Sequence, residues 1–186
     1  MELLEQLKHY QPWNQQEAQD LAEMLRRLEQ GESLYTRENT ASHFTASAWV
    51  VSPDRKQILL AHHNLYDSWA WLGGHADGEL DLLAVALREV QEESGLTATP
   101  ISENIFSLEI LPVAGHEKRG CYVSSHLHLN VTYLLEADPA APVRCKADEN
   151  SHVSWFSLED GIAASNEPWM RERIYRKLNE KLTAFL

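Results

Sequence analysis

The segment GGHADGELDLLAVALREVQEESGL, residues 73–96, carries the strongest structural and functional signal in this chain. Its second half has apolar residues at helical spacing and ends at Gly95, so we predict a helix that this glycine terminates. Glu89, Glu92 and Glu93 lie on the same side of that helix as the apolar stripe that precedes them. Like charges at these spacings repel one another by roughly 0.2–0.5 kcal/mol per pair. We therefore expect these glutamates to have shifted pKa values or to bind a cation.

The ligand types in this cluster point to a particular kind of cation. Carboxylate oxygens without histidine or cysteine suit a hard ion, so the cluster predicts a Mg²⁺ or Mn²⁺ site that can share phosphate oxygens with a substrate. The alternative is a solvated acidic face at the end of a helix. The residues alone leave both interpretations open.

Composition limits the classes of function. The chain has 186 residues, 44% of them hydrophobic, which is enough for one domain with a sizeable core. A formal net charge of −12 disfavours binding to nucleic acid polymers and to anionic membranes. Cys121 and Cys145 have no paired spacing, which predicts free thiols in a reducing compartment. The N-terminal stretch MELLEQLKHY has neither a basic region nor a long apolar run, so we expect no secretory signal, no membrane span and a cytoplasmic location.

Hydrophobic periodicity indicates helices at both ends of the chain and strands between them. The first thirty residues are predicted to be helical, and residues 43–63 to form a hairpin. Further strands are expected near residues 105–113, 126–136 and 152–156, followed by a last helix from about Pro168. This order predicts an α/β sandwich with a mixed β-sheet. The N-terminal helices could pair between subunits, which would give a homodimer.

Residues 74–96 resemble the Nudix box, whose pattern is G-x5-E-x7-R-E-U-x-E-E-x-G-U with U an aliphatic residue. With Gly74 as the first glycine, the pattern is matched without a gap at Arg88, Glu89, Val90, Glu92, Glu93, Gly95 and Leu96. One position differs, because Leu80 stands where the box has its first glutamate and Glu79 lies one residue earlier. The resemblance implies a Nudix-like α/β/α sandwich over residues 41–186, preceded by an N-terminal helical extension over residues 1–40.

The resemblance also implies an activity. Nudix proteins are hydrolases of nucleoside diphosphate derivatives and related small molecules, in which activated water attacks phosphorus with Mg²⁺ or Mn²⁺ as cofactor. It implies that Glu89, Glu92 and Glu93 bind metal, that the Gly74 carbonyl adds a ligand, and that Arg88 orients the glutamates. The alternative function is a Nudix-like nucleotide-binding module with impaired catalysis, an interpretation that rests on the replaced box glutamate alone.

Three further candidates lie outside the box. Family members often take another glutamate from a loop as general base or extra ligand, and Glu149 in ADENSHVSWF is our candidate; a solvated loop acid is the alternative. His126 and His128 share one face of a predicted strand and are candidates for lining a substrate pocket, since imidazole is not a preferred Mg²⁺ ligand; a half-exposed polar sheet face is the alternative. Lys118 and Arg119 lie between glycines in GHEKRG and could contact substrate phosphate; a plain hairpin connection is the alternative.

Overall fold

The computed structural model describes residues 2–118 and 120–185, except for the side chain of Lys118. Its helices are α1 (Leu3–His9), α2 (Gln15–Glu29), α3 (Leu82–Ser94), α4 (Leu158–Ala164) and α5 (Arg176–Phe185), and a π-helical segment (Met170–Tyr175) leads into α5. Its strands are β1 (Ser42–Val51), β2 (Gln57–His63), β3 (Ser68–Ala70), β4 (Leu72–His75), β5 (Thr99–Pro100), β6 (Ser107–Val113), β7 (His116–Lys118), β8 (Cys121–Val123), β9 (His126–Glu136) and β10 (Asn150–Ser157).

The main sheet is mixed and has β1 near its centre. Its strands run in the order β10-β2-β1-β9-β5, while β3, β4 and β6 pair with β2, β1 and β9. The β1–β9 pair is parallel, and the other pairs are antiparallel. A separate hairpin of β7 and β8 carries the GHEKRG connection. The predicted α/β sandwich with a mixed sheet is confirmed.

Helices cover both faces of this sheet. Side chains alternate along β1, so that Phe44, Ala46 and Ala48 join the buried residues of α3 on one face. Trp49 and Val51 lie on the other face and pack with Ile174, Leu178 and Leu182 of the C-terminal helical segment. The predicted stripe of the last helix is therefore a core stripe, with Met170 packed at its edge.

Local signals at its two ends position α3. The Asp81 side chain accepts hydrogen bonds from the amides of Leu83 and Ala84 and caps the first turn. Gly95 ends the helix in the left-handed conformation, with φ of 75°, which an L side chain adopts only with strain. The glutamate-bearing turn is thereby fixed beside β4.

The N-terminal helices are joined to the sheet by buried charge. Glu17 of α2 is fully buried and its carboxylate accepts from Lys181 of α5 at 2.7 Å. Lys177 of α5 in turn contacts Glu109 of β6 at 2.9 Å. The division of the chain into residues 1–40 and 41–186 stays a prediction.

The structure also differs from the sequence expectations in detail. The N-terminal helical region is two helices, separated at residues 10–14, and the sequence pattern does not predict α4.

Both cysteines are free thiols, as the sequence predicts. None of the helices in the described ranges combines the length and hydrophobicity that crossing a bilayer requires.

Candidate functional site

Two glutamates of α3 are buried against the glycine-rich strand β4. Glu89 and Glu93 are 9% and 4% exposed. The Gly73 amide donates a hydrogen bond to Glu93 Oε2 at 3.1 Å. One face of α3 packs against β4 and β1, and residues four apart share that face. The carboxylates are therefore held at the boundary between core and solvent.

Burial changes the ionisation of both carboxyl groups. Desolvation and, after it, the neighbouring charge of Glu89 together raise the pKa of Glu93 to about 8, although the hydrogen bond from the Gly73 amide opposes the rise. Desolvation also raises the pKa of Glu89, although the Arg88 guanidinium opposes it. A nearby divalent cation would favour the ionised forms of both groups. The two carboxylates are donors of the type that a hard cation takes, and their role as metal ligands stays a prediction.

Gly74 makes room for the Glu89 carboxylate. A Cβ at this position would lie 2.5 Å from Glu89 Oε1 and 2.8 Å from Oε2, which is too close for a side chain. Glycine is therefore what allows the carboxylate to lie against the β4 backbone. The Glu89 carboxylate therefore lies beside Gly74. The carbonyl of this glycine is the predicted additional metal ligand.

The exposure of Glu92 differs from the sequence expectation. Its side chain is 45% exposed, so it does not border the core as Glu89 and Glu93 do. It lies at the flank of the buried face, where its carboxylate accepts from Lys146 at 2.9 Å. The same ammonium lies 3.1 Å from Glu149 Oε1. Lys146 therefore joins the predicted general base to the glutamate helix.

The segment before β10 is fastened to α3 next to these charges. Asn150 is buried and its side-chain amide donates to the Glu93 carbonyl at 3.1 Å. The carbonyl of Glu149 accepts from the Asn64 amide at 2.9 Å. The backbone around Glu149 is thus held by contacts to two other elements. The Glu149 side chain itself is 39% exposed, and its role as base or ligand stays a prediction.

Arg88 contacts the cluster from the exposed side. Its Nη2 donates to Glu89 Oε1 at 3.2 Å, and its Nε lies 3.9 Å from Glu92 Oε1. Two of the three glutamates therefore share one guanidinium. This placement agrees with the orienting role that the resemblance implies.

The replaced box position lies at the other end of α3. Leu80 is 66% exposed, and Glu79 accepts a hydrogen bond from the Asp81 amide at 3.0 Å. Glu79 is thereby part of the turn that begins the helix, whereas Glu89 and Glu93 lie in its C-terminal half. This contact places Glu79 in the turn that precedes the Asp81 cap.

The remaining candidates fall into two groups. His126 and His128 lie on β9 and face each other, with their Nε2 atoms 3.2 Å apart. The backbone of Lys118 is in β7, while its side chain and Arg119 lie outside the described residues. The predicted phosphate contact of these two bases stays a prediction.

Sequence reasoning missed three residues that the fold brings to this region: Lys146, His43 and His75. Lys146 is three residues from Glu149, a spacing that could have suggested an ion pair. The two histidines lie next to His128 in space, because β1 pairs with both β4 and β9. No spacing along the chain indicates that proximity.

Comparisons with known proteins agree with this geometry. The family model described as NUDIX domain matches residues 41–178. Solved structures with a similar fold include a Caenorhabditis elegans Ap4A hydrolase in a binary complex, 23% identical with a TM-score of 0.55, the alignment covering 76% of this chain and 96% of that one. A NUDIX family hydrolase from Clostridium perfringens is 23% identical with a TM-score of 0.52, covering 77% and 98%. A MutT protein from Methanosarcina mazei Go1 is 18% identical with a TM-score of 0.51, covering 75% and 94%. Comparison with curated proteins gave no significant match.

The chain belongs to the NUDIX domain family, since that model covers most of its length. It is a Nudix-type hydrolase with a mixed, helix-covered sheet. The structures, all below 25% identity, support the fold.

Proposed function

We propose that this protein hydrolyses a diphosphate linkage in a nucleoside diphosphate derivative or a related small molecule, with Mg²⁺ or Mn²⁺ as cofactor. The observation that carries the proposal is the pair of buried carboxylates, Glu89 and Glu93, held against Gly73 and Gly74 of β4. A net charge of −12 repels a polyphosphate, so a locally bound cation is needed for such a substrate to approach.

The ligands that we propose are the carboxylates of Glu89, Glu92 and Glu93 and the carbonyl of Gly74. When bound, a divalent cation neutralises phosphate charge and makes water a better nucleophile. Arg88 holds Glu89 and Glu92 in place through its guanidinium. Burial of Glu93 excludes water from one side of the site, which strengthens electrostatic interactions there.

Glu149 is the proposed general base or outer ligand. Its carboxylate contacts the Lys146 ammonium, which also donates to Glu92. Glu149 therefore lies close to the proposed ligands. As a base it would accept the proton of the attacking water at a carboxylate oxygen. Lys146 keeps these two carboxylates together in the absence of a cation and competes with a cation for them.

Neighbouring members of the fold suggest substrates for the first experiments. The C. elegans structure is of an Ap4A hydrolase, so dinucleoside polyphosphates belong in a panel with nucleotide sugars, ADP-ribose and nucleoside triphosphates. Phosphate or pyrophosphate release should require Mg²⁺ or Mn²⁺ and stop in EDTA. Turnover that is undiminished in EDTA would contradict the metal assignment.

The second function, a nucleotide-binding module impaired in catalysis, predicts a different result on the same panel. Ligands would then raise the melting temperature in Mg²⁺ without being cleaved. Leu80 favours this alternative, since it replaces a box glutamate. The complete second half of the box and the anchored Glu149 favour the hydrolase.

We further propose that the protein acts in the cytoplasm on a small molecule, without a nucleic acid polymer or a membrane as partner. The net charge of −12 supports this proposal. A homodimer through the N-terminal helices stays a prediction, which sedimentation or light scattering would test.

A further inference from the structure

Three histidines converge on one face of the sheet, beside the glycine strand. His43 of β1 lies opposite His128 of β9, and Thr45, two residues further along β1, lies opposite His75 of β4. Because side chains two apart in a strand share a face, all three imidazoles project from the same side. Their ring centroids are 4.9 to 5.3 Å apart. One ring nitrogen from each lies within 4.8 Å of the other two.

His43 has a buried nitrogen that lacks a partner. The side chain is 4% exposed, and its Nδ1 lies 3.0 Å from the Asn39 carbonyl. A carbonyl can only accept, so Nδ1 carries the proton and Nε2 presents a lone pair. That Nε2 is buried and has no hydrogen-bond partner. A buried acceptor left in this way destabilises the folded protein, and a ligand that uses the lone pair would remove that cost.

The hydrogen bond at Nδ1 is also what a metal-binding histidine requires. Such histidines almost always donate their other ring N–H to a carbonyl, a carboxylate or water, which fixes the tautomer and the orientation of the ring. His126 follows the same arrangement, since its Nδ1 lies 2.8 Å from the Ser124 carbonyl. Its Nε2 lies 3.2 Å from His128 Nε2, close to the ~3.3 Å between two ligands of a tetrahedral ion with bonds of about 2.0–2.1 Å.

We propose that His43, His75 and His128 form a binding site for one transition-metal ion of the Zn²⁺ class, with His126 next to His128 as a neighbouring imidazole. Nitrogen donors select Zn²⁺, Ni²⁺, Co²⁺ or Cu²⁺ over the hard ions that suit the glutamates. The site is therefore separate in chemistry from the glutamate cluster, although His75 directly follows Gly74 in the chain. Within the described residues, these histidines form a group of three potential ligand atoms that all lie within 4.8 Å of one another.

The state of the imidazoles agrees with this assignment. Burial, followed by the other histidines, lowers the pKa of His128 to about 2. Burial likewise lowers the pKa of His43. Both rings are neutral at physiological pH, and neutral imidazole is the form that coordinates a metal.

A bound ion would connect three strands at one point. β1, β4 and β9 each contribute one ligand, and β4 also carries Gly73 and Gly74, which contact the glutamates. Binding to the folded state alone stabilises the protein by mass action. The ion is thus expected to raise the melting temperature and to fix the glycine strand.

The test is metal binding by the full chain, purified without a polyhistidine tag. Zn²⁺ would be titrated calorimetrically in excess Mg²⁺, and Co²⁺ binding followed by visible absorption. We expect one Zn²⁺ per chain in the wild type and a tetrahedral Co²⁺ spectrum. His75→Gln and His128→Gln should weaken Zn²⁺ binding more than about tenfold and abolish the rise in melting temperature.

Two control variants distinguish this site from Zn²⁺ binding at surface histidines and at the glutamate cluster. His9→Gln removes an exposed histidine on α1, and Glu93→Gln removes a proposed Mg²⁺ ligand; both should bind Zn²⁺ as the wild type does. His43→Gln is the third ligand variant, and circular dichroism would establish that each variant is folded. Wild-type protein that binds no Zn²⁺, or folded His75 and His128 variants that bind it unchanged, would overturn the proposal whatever the hydrolase assays give.

Discussion

Lys146 donates a hydrogen bond to the Glu92 carboxylate at 2.9 Å, and so connects the segment before β10 to the helix that carries the glutamates. The same ammonium contacts Glu149 at 3.1 Å. Burial lowers the pKa of Lys146, but the hydrogen bonds and charges of the two neighbouring carboxylates together raise it above its usual range. The lysine is therefore a fixed positive charge at the place where the cation is proposed to act.

We predict that Lys146→Gln increases the response to metal. Without Mg²⁺ the variant should be less stable than the wild type by less than about 1 kcal/mol, because the ion pairs are partly exposed. Mg²⁺ should raise the melting temperature of the variant more than that of the wild type, since the cation no longer competes with the Lys146 ammonium. Thermal unfolding with and without Mg²⁺ measures both. Lys56→Gln, at an exposed pair with Asp54 3.9 Å away, is the control; equal Mg²⁺ shifts in the two variants would contradict the competition.

The buried Glu93 predicts a pH-dependent stability in EDTA. An unfolded glutamate ionises near 4.5 and folded Glu93 near 8, so between these values the unfolded state binds fewer protons. The free energy of unfolding of the wild type therefore falls as pH rises from about 4.5 to about 8. Glu93→Gln should lack this loss and be more stable at pH 8 by more than about 1 kcal/mol, since one pKa unit corresponds to about 1.4 kcal/mol.

Denaturant unfolding between pH 5 and pH 8.5 would measure this difference. The matched control is Glu92→Gln, whose exposed side chain should not show the same gain. Mg²⁺ should then stabilise the wild type strongly and Glu93→Gln weakly, because the variant lacks a proposed ligand. Equal stabilisation by Mg²⁺ would remove Glu93 from the ligand set.

Gly73 and Gly74 form a matched pair with opposite expectations. Alanine at residue 73 would place its Cβ 2.5 Å from the Ala46 carbonyl oxygen and 2.8 Å from Ser47 Cα, and backbone cannot move cheaply in the centre of a sheet. Alanine at residue 74 meets the end of the Glu89 side chain, which can rotate away. We expect Gly73→Ala to lower the free energy of unfolding by about 3 kcal/mol or more. Gly74→Ala should keep a stability near that of the wild type but lose activity, because the Glu89 carboxylate is displaced. Melting temperature and kcat measured together test this; a Gly74→Ala variant with normal kcat would contradict the site.

Glu149→Gln tests the proposed base. The substitution should lower kcat by about 10²–10⁴-fold, the range for loss of a general base, with little change in melting temperature because Glu149 is half-exposed at its side chain. Asp148→Asn changes the neighbouring acid and should leave kcat within about twofold of wild type. Normal kcat in Glu149→Gln would return this residue to the role of a loop acid.

The buried network of α2 predicts acid sensitivity. Burial raises the pKa of Glu17, but Lys177 and Lys181 lower it more, to about 2. The unfolded state therefore binds more protons between pH 4.5 and pH 2, and stability is lost as pH falls through this interval. Glu17→Gln should cost about 3–5 kcal/mol at neutral pH, since it leaves buried Lys181 without its counter-ion, whereas Lys177 keeps Glu109. Glu5→Gln, at the exposed Glu5–Lys8 pair, is the control and should change stability little.

Much of the site could be predicted because its signals are local. The helix boundaries follow from a capping Asp81 and a terminating Gly95, which act within a few residues of their own positions. The proposed class of metal follows from oxygen donors repeated at helical spacing. These features depend on short-range geometry, which the order of residues specifies directly.

The exposure of each glutamate was harder to predict. Helical spacing places Glu89, Glu92 and Glu93 on one side, yet the sheet covers only two of them. The third is reached instead by Lys146, which is 54 residues away in the chain. Contacts of that separation depend on where β10 returns to the sheet, and no local pattern encodes it.

The sequence by itself determined the family, the glutamate helix and the chemistry of its ligands. Only the tertiary structure decided that His43, His75 and His128 meet, because their proximity depends on the pairing of β1 with β4 on one side and with β9, in parallel, on the other. Parallel pairing joins segments about 85 residues apart, through a crossover whose register is fixed by the packing of the whole core. A histidine in each strand is an ordinary feature alone; the sheet makes the three a cluster.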